Sequence, residues 1–432
     1  MRFRLLVALL FCAVFAAAQP RPIAIHAARL FDGRGETVSS PALVVVSGGR
    51  IVQVGGVEPA GAQVLDLGDA TLLPGLIDAH VHLTDNFSMN RYEAEFHERR
   101  TTPAEKAFES AVNARVTLLA GFTTVRNVGG PEFVDVGLRN AIERNLTLGP
   151  HMLTATLALG ATGGHCDETN GLAPASVAQE PDFRQGVINS PDEARKAVRT
   201  MVKYGADVIK ICATGGVLSL TDDVDAAQLT QEELNAAVGE AHALHRKAAA
   251  HAHGDSGARL AILAGIDSIE HGSFLKDATL DLMKQKGTYL VPTLIAPTSL
   301  VENFAHGMQV PERIKEKANV AAASVNKTFR SAVARGVKIG FGTDAGVYPH
   351  GENAREFELM VANGASPALA LRAATSADAD LLGISAERGT VENGKIADLV
   401  AVPGNPLADI SVMRKVFFVM QGGTVRRNDR AR

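Results

Sequence analysis

Two kinds of hydrophobic pattern divide the chain. Near its start, residues 43–46 and 51–54 are short apolar runs on either side of Ser47-Gly48-Gly49-Arg50. Paired glycines between such runs mark a β-hairpin, because they accept the positive φ of a tight turn. The strand pattern continues through residues 64–73. The far end reads similarly: Asn393-Gly394 turns into residues 396–402, and residues 416–420 precede Gly422-Gly423. Between these ends, apolar runs alternate with amphipathic helices. Thr102-Pro103-Ala104-Glu105, Ser190-Pro191-Asp192-Glu193 and Thr230-Gln231-Glu232-Glu233 are capping-box sequences, in which a hydroxyl and a glutamate exchange bonds with backbone N–H groups. Gly121 and Gly205 supply helix stops. The apolar runs predict strands at residues 76–83, 123–128, 152–158, 207–212, 248–252, 267–270, 289–292 and 337–341. Eight strands alternating with helices over residues 74–388 predict an α/β fold, a (β/α)8 TIM-type barrel. Residues 19–73 and 389–432 are expected to form one small β-sandwich from both chain ends. An open doubly wound sheet is the competing fold. It would carry a glycine-rich phosphate turn after its first strand, where this chain has a histidine pair.

Composition narrows the function classes. The 432 residues are 46% hydrophobic and 21% charged, an ordinary globular balance. With 43 Lys and Arg against 47 Asp and Glu the formal charge is −4, so no basic surface points to nucleic acid. Residues 1–18 read as a signal peptide: Arg2 and Arg4, an apolar run over 5–15, then Ala16-Ala17-Ala18. The apolar run is too short to anchor in a bilayer. The expected location is therefore secreted or periplasmic, with no membrane association once the signal is removed. Removal leaves Cys166 and Cys212 of the three cysteines. An exported chain permits a disulfide, and the spacing alone leaves their pairing open.

The candidate chemistry sits at predicted strand ends. His80 and His82 lie two apart on the first strand, so both face one side. Converging imidazoles make a transition-metal half-site, although an H-x-H pair alone is weak evidence. Lys210 closes a buried run, which is costly for a free ammonium. His251, His271 and Asp344 close three further strands. His251 and His253 share a face, and either is a candidate ligand. Arg126, His350 and His165, the last in a long glycine- and proline-rich stretch over 159–189, are candidates to meet a substrate carboxylate or developing charge. A structural hydrogen bond is the competing role for each. Phe87, Tyr92 and Phe96, in the loop after the first strand, either line a pocket or tie the loop down.

Together these motifs resemble the amidohydrolase superfamily. The resemblance runs from Pro74-Gly75-Leu76-Ile77-Asp78-Ala79-His80-Val81-His82 through Lys210, His251-Ala252-His253-Gly254 and Glu270-His271-Gly272 to Gly342-Thr343-Asp344-Ala345-Gly346 and Gly394-Lys395-Ile396-Ala397-Asp398. Within the superfamily, Gly121-Phe122-Thr123-Thr124-Val125-Arg126 and Pro349-His350-Gly351-Glu352-Asn353 are similar to the branch of Xaa-Pro dipeptidases, imidazolonepropionase-like proteins and ochratoxin-hydrolysing enzymes. The resemblance implies a barrel hydrolase with two divalent metal ions, zinc expected. His80 and His82 would bind one metal and His251 and His271 the other. Lys210 would bridge them as a CO2-derived carbamate. Asp344 would bind the first metal and act as the proton-transferring base. The family places its ligand on the first histidine of His251-Ala252-His253, which makes His253 a candidate substrate contact beside His165, Arg126 and His350. The implied activity is hydrolysis of the amide bond in dipeptides or N-acyl amino acids with a free C-terminal carboxylate, with ochratoxin-like N-acyl phenylalanines among them. A cyclic-amide hydrolase and a non-catalytic scaffold of the same fold are the alternatives. The expected partner is a small-molecule substrate, and similar proteins form homo-oligomers.

Overall fold

The computed structural model describes residues 21–430, so the expected signal peptide lies outside the described residues. The chain is a mixed α/β protein. Eight short parallel strands carry its middle: Leu76–Val81, Phe122–Asn127, His151–Thr154, Val208–Cys212, Lys247–Ala252, Ser268–His271, Tyr289–Val291 and Lys338–Ile339. The first three pair as one sheet and the last five as another. Single parallel bridges connect the two sets, Leu159 to Ile211 on one side and Val81 to Ala345 on the other.

Two expected strands are shorter than their apolar runs. The third ends at Thr154, and Thr156 takes φ +62°, which turns the chain out of the extended region. The eighth pairs in regular fashion only over two residues. Past it, Phe341 O accepts Ala79 N–H at 2.8 Å, and Asp344 N–H donates to His80 O at 2.7 Å. The segment runs beside the first strand as an irregular ribbon, and this delivers Asp344 next to His80.

Helices fill the connections. Thr102 and Ser190 each accept the N–H of the residue three positions on, Glu105 and Glu193. Only Thr230 completes the reciprocal box, with Thr230 N–H donating to Glu233 Oε2 at 2.8 Å. At Ser190 the glutamate reaches one residue further back, to Asn189 N–H.

The ends of the chain meet. A four-stranded sheet holds Ile23–Ala27, Ala42–Ser47, Arg50–Val54 and Gln63–Asp66. The Gly48-Gly49 turn has φ +57° and +78°, the conformation its two glycines predicted. The run over 64–73 is broken into two strands, the second being Ala70–Pro74. That second strand joins a five-stranded sheet with Arg29–Leu30, Leu399–Pro403, Phe418–Gln421 and Thr424–Asn428. Ile25, Val44 and Ile51 from the first sheet and Leu72, Leu399 and Phe418 from the second share one apolar cluster. A larger cluster packs the parallel strands against their helices. Among the described residues no helix is long and apolar enough to cross a membrane.

Candidate active site

The residues singled out at strand ends converge. His80 is buried on the first strand, and its Nδ1 lies 2.7 Å from Glu270 Oε2. Burial pushes the Glu270 carboxyl up, but Arg126 and the His80 ring outweigh it and hold it down to about 2. Glu270 is therefore an acceptor, and His80 donates its Nδ1–H to it. This turns His80 Nε2 toward Asp344 Oδ1 at 3.3 Å. His82 Nε2 lies 3.3 Å from the same oxygen. Burial opposes ionisation of Asp344, yet hydrogen bonds with His80 and His82 keep its carboxyl well below the usual range.

The second half of the cluster is all imidazole. The rings of His251, His253 and His271 are 4.7–4.8 Å apart, with His253 and His271 nearly parallel at 13°. Burial pushes all three well below the ordinary histidine range, His253 to about 3. His271 joins the two halves, since its ring centroid is 5.0 Å from that of His80. Nitrogens of His251, His253 and His271 lie within 4.8 Å of one another, as do one ligand atom each from His80, His271 and Asp344. His271 and Asp344 both sit at positive φ, +70° and +61°. Such conformations cost of order 1–3 kcal/mol for side-chain-bearing residues and cluster at functional sites.

Lys210 lies among these groups, 4% exposed, and burial pushes its amine down to about 8. Only through-space charges from Glu270, Asp344 and Arg126 act on it, with no hydrogen bond to an acceptor among the described residues. The donor set fits divalent metals. Two imidazole nitrogens converge on one carboxylate oxygen at 3.3 Å each, a nitrogen and oxygen donor set suited to a divalent cation, and a buried amine without an acceptor fits a carbamate better than an ammonium.

The remaining candidates divide. His165 stacks on His251, with centroids 4.2 Å apart, and burial pushes its ring down to about 4. It is held at the site by a disulfide between Cys166 and Cys212, whose Cα atoms are 6.0 Å apart. The pairing that sequence left open thus ties the long loop after the third strand to the end of the fourth. His350 lies to one side, its Nε2 2.9 Å from Asp85 O, and it is not brought into the histidine cluster. Arg126 corrects the expectation of a substrate contact. It is fully buried, and its guanidinium donates to Ala79 O, Ser268 Oγ and Glu270 Oε1. The reason is its place inside a strand buried along its whole length. Tyr92 and Phe96 are exposed on the Arg91–Glu98 helix, while Phe87 packs on a small cluster with Val217 and Met308.

Two groups escaped the sequence reading. Glu270 orients His80; its signal was a carboxylate directly before His271, in a strand that proves fully buried. Asp78 accepts from Thr343 Oγ1 at 2.6 Å and Asn353 Nδ2 at 2.8 Å, clamping the first strand to the segment that carries Asp344. Burial pushes the Asp78 carboxyl up to about 7.

Comparison with known proteins identifies the family. Residues 71–427 match the Amidohydrolase family. The chain is 32% identical to the ochratoxinase of Aspergillus niger over 422 residues, covering 92% of this chain and 85% of that protein. Among solved structures, a Xaa-Pro dipeptidase with methionine bound in its active site is 41% identical with a TM-score of 0.90, covering 94% of this chain and all of that one. A prolidase complexed with N-methylphosphonate-L-proline is 31% identical with a TM-score of 0.84, again over 94% of this chain and all of that one. The chain belongs to the amidohydrolase family and is a hydrolase acting on amide bonds.

Proposed function

We propose that this protein is a binuclear-metal enzyme cleaving the amide bond of dipeptides or N-acyl amino acids that carry a free C-terminal carboxylate, ochratoxin-like N-acyl phenylalanines included. The observation that carries the reading is the facing of His80 and His82 Nε2 toward Asp344 Oδ1 at 3.3 Å each, beside a buried amine and three more imidazoles. His80, His82 and Asp344 would hold one divalent cation, zinc by preference, and His251 and His271 the other. Lys210 would serve as a further ligand in its carbamate form: its neutral amine adds to CO2, the N–C bond forms as one C=O π pair moves onto oxygen, and one amine proton is released. Metal ions held there would supply Lewis acidity toward the amide carbonyl and toward a water. Asp344 would accept a proton from the attacking water and return it to the leaving nitrogen. Glu270 keeps His80 in one orientation, and Arg126 keeps Glu270 ionised. His165 and His253 flank His251 and are the substrate contacts of choice; His350 is a more distant one. The Xaa-Pro dipeptidase relative with methionine in its active site supports an amino-acid leaving group, and the ochratoxinase relative supports N-acyl phenylalanines.

The same reading extends to architecture. The two parallel sheets would form one closed (β/α)8 barrel over residues 74–388, with residues 19–73 and 389–432 as one β-sandwich. A secreted or periplasmic homo-oligomer is proposed for the mature protein, acting on small molecules and not on nucleic acid.

The test is metal analysis of the purified protein together with a panel of Xaa-Pro, Xaa-Phe, Xaa-Arg and N-acyl amino acid substrates. About two metals per chain and hydrolysis of at least one class are expected. One metal with an unmodified Lys210 would sink the binuclear mechanism. Opening of imidazolone-like rings with no action on the panel would transfer the chain to cyclic-amide hydrolysis.

A further inference from the structure

Behind the site stands a buried ion pair that none of the chemistry above uses. Lys317, on the Glu312–Arg335 helix, donates its Nζ to Asp222 Oδ1 at 2.9 Å and to Ser219 O at 2.8 Å. Both side chains are nearly inaccessible, at 5% and 6% exposure. Such a pair is a weak source of stability, because desolvating two charges costs about what their attraction returns.

Its surroundings indicate another role. Asp222 also accepts from Ser219 Oγ at 2.5 Å, from Gln228 Nε2 at 2.8 Å and from Gly216 N–H at 3.2 Å. Burial pushes the Asp222 carboxyl up, but Ser219 and Lys317 outweigh it and hold it below the usual range, so it only accepts. Ser219 Oγ lies 3.0 Å from His165 Nδ1. The single hydroxyl proton of Ser219 goes to Asp222, or at 3.2 Å to Gly216 O, and in neither case to His165. Ser219 therefore offers His165 only a lone pair, and His165 must donate its Nδ1–H. Gln228 Oε1 accepts the backbone N–H of His165 at 3.0 Å and fixes the other side of the same residue. The ring fits only because residue 216 is glycine: a Cβ there would come within 2.1 Å of His165 Nδ1.

Building on the amide-hydrolase reading, we propose that Lys317 is a positioning residue. Through Asp222 and Ser219 it fixes both the Nδ1–H tautomer of His165 and its stacking on His251, so that Nε2 presents a lone pair to an N–H or O–H of the bound substrate. The chain of contacts runs from a helix after the seventh parallel strand to a loop after the third, and so couples two walls of the site mouth.

The tautomer is read directly by two-bond 15N–1H correlation in protein labelled with 15N-histidine, with the His165 signals assigned by their loss in His165→Gln. The wild-type protein, as purified, should show the Nδ1–H pattern. Lys317→Met should convert it to a mixture of tautomers and lower kcat/KM by about ten- to a hundredfold with metal content unchanged. Lys317→Arg should restore both the pattern and the rate. Ser219→Ala, which leaves the ion pair intact, should release the tautomer in the same way and serves if Lys317→Met does not fold. An Nε2–H pattern in the wild type, an unchanged pattern in folded Lys317→Met, or, where that variant does not fold, an unchanged pattern in Ser219→Ala overturns the proposal. The spectrum needs no substrate. A wild type with the expected tautomer and no amide turnover would therefore overturn the activity assignment while supporting the positioning chain.

Discussion

Asp344 combines a left-handed backbone with a carboxylate that reaches two histidines at once. Asparagine keeps the shape and the tolerance for positive φ but loses the charge and the basicity. Asp344→Asn should lower kcat by at least about a hundredfold, the usual worth of a proton-transferring group, with an unchanged circular dichroism spectrum. Full activity in that variant would remove Asp344 from the base role. His151 behaves differently, at the start of the third strand and beside a cavity of about 470 Å3 lined by Arg139 and Arg246. Burial pushes its imidazole from 6.5 down to about 4, assisted by Arg388. Between those values the unfolded chain holds a proton that the folded chain does not, so stability is full above pH 6.5 and is lost as pH falls through about 4. The loss should be on the order of 2 kcal/mol. Urea unfolding at pH 7 and pH 5 should show a smaller pH difference for His151→Asn than for the wild type. The clustered residues were legible because each is a polar group set in or at the end of a buried run; Lys210 does not close its strand as expected but sits in its middle, with Ile211 and Cys212 continuing it. Glu270 and Lys317 were not legible, because their meaning lies in partners far along the chain: Arg126 is 144 residues from Glu270, and Asp222 is 95 from Lys317.

Among the elements, local signals did best where one residue satisfies one backbone group. All three predicted caps accept the expected N–H, yet only Thr230 and Glu233 exchange bonds in both directions. Glu233 is buried and also accepts from Thr230 Oγ1 at 2.9 Å. Thr230→Ala should therefore cost about 1 kcal/mol of unfolding free energy, measured by chemical denaturation, with little change in turnover. The strand ends were less readable. Hydrophobic runs mark burial, and the segments after Thr154 and Ile339 stay buried after they leave the ladder, so the runs overstate both strands. The pairing of Cys166 with Cys212 was invisible for a related reason: strand geometry, not spacing, brings the long loop to the end of the fourth strand.

For the molecule as a whole, buried histidines and a carboxylate gathered in one cluster would link metal binding to folding on the proposed reading. A cation that binds only the folded chain stabilises it by about 2.7 kcal/mol at a free concentration a hundred times its Kd. Dialysis against a chelator should lower Tm by several degrees and abolish turnover, and a divalent cation should restore both. An unchanged Tm would place the histidine cluster outside metal binding. The overall plan of β-rich ends around alternating strands and helices could be read from periodicity, since that pattern repeats over the chain. The split of the run over 64–73 between two different sheets could not, because its first part pairs with Ile23–Ala27 nearby while its second pairs with Leu399–Pro403, more than 300 residues away.

That split has a consequence for biosynthesis. Thr71 Oγ1 donates to Gly404 O across 333 residues, and Ala70–Pro74 pairs along Leu399–Pro403. At about 5–20 residues per second, the early strand waits roughly 15–70 s for its neighbour to be made. During that interval Leu72 and Leu73 must be shielded by a chaperone or by provisional contacts. A chain that ended before the last forty residues would lack Leu399–Pro403 and leave that side of Ala70–Pro74 as an unpaired sheet edge.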